Sequence, residues 1–174
     1  MRTASSEGSD LLDRKTIVQS LIGPPERRAI LLSARRAYLI GGLLFVSYLL
    51  IAIGGAVGSM ARYGLSGLVA AATRSTFPFG TMFVNVSGAI VIGFFLTLTG
   101  PNGRLLASVH TRQFVAVGIC GGYTTFSTFS YETLSLMQDG QWLAAGANAV
   151  FAVVFCLIAV WIGYVAASAL SRGS

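Results

Sequence analysis

Charged residues divide this chain first, because they leave four long stretches with none: Ala37 to Ala61, Ser75 to Gly103, Gln113 to Tyr131 and Gly140 to Ser171. A hydrocarbon core of about 30 Å takes roughly 20 mostly apolar residues in a helix, and each stretch is long enough to cross it. In lipid the backbone must satisfy itself, which leaves helices and closed barrels. The period-two alternation of a barrel strand is missing. The pattern predicts an all-α integral membrane protein with four transmembrane helices, near Tyr38 to Leu65, Phe79 to Leu98, Phe114 to Met137 and Trp142 to Leu170.

Residues 1–36 break this pattern. They are polar, mixed in charge and carry Pro24 and Pro25, and no apolar run begins until after Arg36. A secretory signal would place its apolar region and cleavage site inside this segment. The segment therefore reads as a poorly ordered N-terminal extension ahead of a four-helix membrane domain over 37–174. Leu11, Leu12, Val18, Leu21 and Ile22 leave open a short helix on the membrane surface.

Composition agrees: 54% of residues are hydrophobic and 10% charged, against about 25% charged in soluble domains. The net charge of +6 raises the question of nucleic acid, but the basic residues gather at the ends of the apolar stretches and form no soluble basic face. Four crossings put both termini on one side, with Arg27, Arg28, Arg35, Arg36, Arg104, Arg112 and Arg172; only Arg62 and Arg74 fall on the other. The positive-inside rule then places the termini in the cytoplasm. Cys120 and Cys156 lie inside spans, where a thiol behaves as a small apolar group, and His110 has no Cys or His partner at ligand spacing.

Polar chemistry inside the spans is sparse and therefore informative. In the first, Gly54 and Gly58 have the small-xxx-small spacing of closely packed membrane helices, and Arg62 is either an interfacial anchor or an anion-attracting vestibule. In the second, Thr81 and Asn85 are four apart on one face. An amide in hydrocarbon needs partners, so Asn85 is interhelical glue or a donor lining a pathway. The third carries Gly118-Ile-Cys-Gly-Gly-Tyr-Thr-Thr-Phe-Ser-Thr-Phe-Ser130. Gly121-Gly122 and Thr124-Thr125 predict a helix broken in mid-membrane, where freed carbonyls are natural cation ligands. Phe126 and Phe129 share a face; their ring edges carry partial positive charge that can meet an anion, or they are core. Glu132, three residues on, extends the same face. The fourth span is mostly wall, with Asn148 and Ser168 as its polar points.

Together GGAVGSMARY, GTMFVNVSGAIVIGFF and GICGGYTTFSTFSYET, in this order on three successive spans, resemble the CrcB/Fluc family of prokaryotic fluoride channels. The resemblance covers about residues 45–170. It implies a four-helix subunit that assembles as an antiparallel dimer in the cell membrane, with fluoride pathways at the subunit interface and a structural, untransported sodium ion (Na+) at its centre. It implies that main-chain carbonyls of Gly121 and Thr124 hold the sodium, that Phe126 and Phe129 present ring edges to fluoride, that Asn85 is the pore amide, Arg62 the vestibule arginine and Glu132 the acid near the pathway's end. Dehydrated fluoride needs donors, which adds the hydroxyls of Thr81, Thr125, Ser127 and Thr128 to the pathway. The activity implied is passive export that lowers cytoplasmic fluoride and its toxicity, with no enzyme chemistry.

Two departures qualify the picture. The fourth helix presents Asn148, Ala152 and Cys156 where many members carry a polar ladder. Seven basic residues against two also commit the chain to one orientation, whereas an antiparallel homodimer needs both. A heterodimer with an oppositely oriented homologue is therefore expected beside the homodimer. The other classes are a proton-coupled small multidrug exporter, which needs a carboxylate in the first helix where 37–61 has none, and a non-transporting membrane interaction protein.

Overall fold

A computed structural model describes residues 25–101 and 103–172. Among these residues the protein is helical throughout, without a strand. Helix α1 spans Pro25–Thr73 and α2 Phe79–Leu98; α3 is the single turn Val109–Arg112, followed by a π-helical run over Gln113–Cys120 and a short α4, Gly121–Tyr123; α5 is Phe126–Gln138 and α6 Trp142–Arg172. The chain divides into two compact units, 1–46 and 47–174. In the first, residues 1–24 lie outside the described residues, so most of the expected extension and its surface-helix residues do too; the described part is the opening of α1. Pro25 suits a first helical position, where its missing N–H costs nothing, and Glu26 lies in the first turn, where the helix dipole favours an acid.

Among the described residues three helices are long and apolar enough to cross a membrane: Leu44–Thr73, Phe79–Leu98 and Trp142–Ser171. The second and last match the sequence expectation closely. The window of the first, Leu44–Thr73, covers most of the expected Tyr38 to Leu65 and falls within a helix already formed from Pro25. At 30 residues, that window is about 45 Å long, more than a hydrocarbon core needs.

The third segment is interrupted inside the motif where the sequence predicts a broken helix. The break falls at Thr124 (φ −82°, ψ 155°) and Thr125 (φ −150°, ψ 120°), both extended. The two glycines do not cause it: Gly121 is helical at φ −65°, ψ −36°, and Gly122 lies inside α4. Their side of the motif serves packing. A Cβ on Gly122 would stand 2.6 Å from the Gly55 carbonyl oxygen, one on Gly54 2.7 Å from that of Phe114, and one on Gly58 would overlap Ile119. The small-xxx-small pair of α1 thus lies backbone to backbone on the π-helical run and α4.

Helices α2 and α6 pack in the same manner. A Cβ on Gly93 would overlap the Val160 carbonyl, and one on Gly163 would overlap Ile90 and lie 2.7 Å from the Phe94 nitrogen. The buried face of α6 is Ala145, Asn148, Ala152, Ala159, Gly163 and Ala167, small residues that let two backbones approach closely. Helix α5 ends where Gly140 adopts φ 74° and the Gln141 N–H reaches back 2.8 Å to the Leu136 carbonyl, a left-handed glycine stop.

Candidate functional site

The break at Thr124–Thr125 is clamped by side chains from two other helices. Asn85 of α2 takes both main-chain groups of Thr125: its Oδ1 accepts the Thr125 N–H at 2.8 Å and its Nδ2 donates to the Thr125 carbonyl at 3.0 Å. The glue reading of Asn85 is therefore realised against backbone. Its second Nδ2 hydrogen is still available, and the residue lines a cavity, so a pathway role is compatible with the clasp. Arg62 Nε donates to the Gly122 carbonyl at 3.2 Å, joined by Ser59 Oγ at 3.4 Å. Tyr123 Oη and Ser87 Oγ are 2.8 Å apart, tying α4 to α2. Thr125 Oγ1 caps α5 by accepting from the Thr128 N–H at 3.2 Å and bonds the Thr128 and Ser127 hydroxyls.

Two cavities open beside this break. The first, about 340 Å³, is lined by Asn85, Thr124, Thr125, Phe126 and Phe129, with Ala152 and Cys156 of α6 opposite. The ring centroids of Phe126 and Phe129 are 5.3 Å apart, and Phe126 is 77% exposed, so it is not a core ring of its own chain. The second cavity, about 370 Å³, holds Thr81, Thr128 and Glu132, with Ser135 and Asp139 further along. Thr81 Oγ1 donates to Glu132 Oε1 at 2.7 Å, and Glu132 Oε2 is buried without a partner.

The residues singled out in the sequence therefore fall into three groups. Asn85, Thr125, Phe126 and Phe129 meet at one cavity; Thr81, Thr128 and Glu132 meet at the other; Arg62 and Ser127 line neither. Asn148, grouped with Ala152 and Cys156 by spacing, is separated from them: it is buried, and its Nδ2 donates to Thr133 Oγ1 at 2.8 Å. Sequence reasoning missed the π-helical winding, the Tyr123–Ser87 bond and the seat of Arg62. Only Arg62 had a signal, as a permanent charge near a span's end that needed an oxygen partner.

The resemblance implies a sodium held by the main-chain carbonyls of Gly121 and Thr124, and the residues present fit that cation. In an unbroken helix the Gly121 carbonyl would accept from the Thr125 N–H, but that N–H is bonded to Asn85. A neutral, hard oxygen deprived of its helical donor is the ligand type alkali cations take.

Residues 49–164 match the family model described as CrcB-like protein, Camphor Resistance (CrcB). The chain belongs to the CrcB family. Its matched region contains every site residue named above. Among curated CrcB relatives, the fluoride-specific ion channel FluC of Rhodospirillum rubrum is 57% identical over 128 residues, 74% of this chain and 99% of the relative. The fluoride-specific ion channel FluC of Opitutus terrae is 55% identical over 124 residues, 71% of this chain and 94% of its own. That of Paramagnetospirillum magneticum is 51% identical over 127 residues, 73% and 99%. These CrcB relatives are channels and not enzymes, and the apolar helices make this chain a multi-pass membrane protein.

Proposed function

We propose that this protein is a subunit of a fluoride channel that passively exports cytoplasmic fluoride through the plasma membrane and so limits its toxicity. The observation that carries the reading is the cavity shared by Asn85, Phe126 and Phe129, which sets an amide donor and two ring edges around one space in a chain whose named relatives are fluoride channels. Fluoride gives up strongly held water only where donors replace it. Here the free Nδ2 hydrogen of Asn85 and the ring edges of Phe126 and Phe129 are the replacements. The Thr81–Glu132 cavity continues the path.

In this reading the interrupted third segment is a fourth crossing, the termini are cytoplasmic, and two subunits run antiparallel. A sodium on the Gly121 and Thr124 carbonyls supplies fixed positive potential near the anion. The exposed Phe126 is the ring that a second subunit would cover. The basic bias, Arg27, Arg28, Arg35, Arg36, Arg104, Arg112 and Arg172 against Arg62 and Arg74, favours an oppositely oriented homologue as that second subunit.

Fluoride efflux from liposomes, followed with a fluoride electrode, tests both levels. Phe126→Ile and Phe129→Ile are expected to cut efflux by about tenfold each, the loss of roughly one aromatic-edge contact per ring, while the protein still folds. Unchanged flux in both variants contradicts the pathway. Full flux from this chain reconstituted alone supports the homodimer and removes the heterodimer.

A further inference from the structure

We infer that Asn85 and the Thr125 side chain are the positioning residues of the cation site, each freeing one of its two carbonyls; this rests on the sodium site of the proposed function. The reasoning is a count of helical donors. Were the third segment a continuous helix, the Gly121 carbonyl would accept the N–H four residues on, from Thr125, and the Thr124 carbonyl would accept the N–H of Thr128. Both N–H groups are diverted by side chains. Thr125 N–H goes to Asn85 Oδ1 at 2.8 Å, and Thr128 N–H goes to Thr125 Oγ1 at 3.2 Å. The intervening Gly122 carbonyl, by contrast, is filled by Arg62 Nε and Ser59 Oγ, and the Thr125 carbonyl by Asn85 Nδ2. Of the carbonyls these side chains act on, those of Gly122 and Thr125 are occupied, and those of Gly121 and Thr124 lose their helical donors.

Asn85 consequently acts on two ions with different atoms. Its Oδ1 frees a cation ligand, while the residue also lines the anion cavity. A buried main-chain N–H does not stay unbonded, since leaving it so costs roughly 1–3 kcal/mol. If either acceptor is removed, its N–H turns back to the nearest carbonyl and takes a ligand from the cation.

The test is the sodium dependence of thermal unfolding of the purified full chain, measured against N-methylglucamine at equal ionic strength. Loss of an outer-shell partner weakens metal sites roughly 10–100-fold, so Asn85→Leu and Thr125→Val are expected to raise the half-saturating sodium concentration at least about tenfold. Thr125→Ser keeps the hydroxyl and the wild-type value. Asn85→Asp keeps the acceptor, and therefore the sodium response, while losing the donor and the fluoride flux. If Asn85→Leu does not fold, the Thr125→Val and Thr125→Ser pair decides. A sodium response in wild type that is unchanged in Asn85→Leu and Thr125→Val overturns this inference and leaves the channel reading standing. No sodium response in wild type removes the ion from that reading and the inference with it.

Discussion

The approach of α1 at Gly58 to the segment carrying the break makes the most exacting prediction. A methyl group added at Gly58 would overlap the Ile119 carbonyl, stand 2.8 Å from the Tyr123 nitrogen and 3.1 Å from the Gly122 carbonyl carbon. All three neighbours are main chain, so no side chain can swing away. Ordinary contact begins near 3.4 Å, which means that α1 and the segment carrying the break must separate by about 0.6 Å or more, and overpacking of this kind costs about 1–3 kcal/mol. Gly64 lies in the same helix with nothing within 4 Å of its added methyl. Both substitutions gain the same helix propensity, about 1 kcal/mol, so the difference between Gly58→Ala and Gly64→Ala isolates the contact. Converted at 2–4 °C per kcal/mol for a chain of this size, the gap in midpoint is about 2–12 °C. Thermal unfolding of both variants in one detergent, read by loss of the size-exclusion peak, measures it. Equal midpoints would refute the backbone-to-backbone crossing and with it the account of the Gly54/Gly58 pair.

Three further outcomes follow from the site. Thr81→Val and Glu132→Ala are expected to couple by at least about 0.5 kcal/mol in a double-mutant cycle of unfolding, because Thr81 and Glu132 share a 2.7 Å bond; additive effects would dissolve the pair. Asn148→Leu leaves the buried Thr133 hydroxyl without its 2.8 Å donor and is expected to cost about 1–3 kcal/mol while sparing fluoride efflux, since Asn148 lines neither cavity. Cys156 lines the first cavity and Cys120 is buried. A small methanethiosulfonate reagent is therefore expected to block efflux in wild type and not in Cys156→Ala, and equal block in both would take Cys156 out of the pathway.

How far the sequence could be read depended on whether a feature is local. The bounds of α2 were legible because Pro78 ends the preceding loop and the hydropathy rises at once, so helix and apolar window coincide at Phe79. In α1 they do not coincide: Arg35 and Arg36 are good helix formers that lipid would reject, so a hydropathy rule misplaces the helix start. The break was legible at Gly121 to Thr125, but it was assigned to the glycine pair as well as to the two threonines that make it. Thr124 and Thr125 leave the helix because Asn85, forty positions away, offers the backbone a better partner, and no local pattern announces a bond that long-range. The π-helical run over Gln113–Cys120 has no residue signature at all. Phe126 and Phe129 were placed together by their spacing, whereas the division of the polar face into two cavities depends on how α5 sits between α2 and α6.

The seat of Arg62 changes what salt can do to this site. The Arg62 guanidinium is fastened to the Gly122 carbonyl, one residue from the proposed cation ligand at Gly121. With the proposed sodium bound, the positive potential at the break would have two sources of different kind, one covalent, the other exchangeable with the bath. Removing sodium subtracts only the second, so an anion arriving in sodium-free solution still meets an attractive field, and the dependence of conduction on sodium reports the difference between two cations and one.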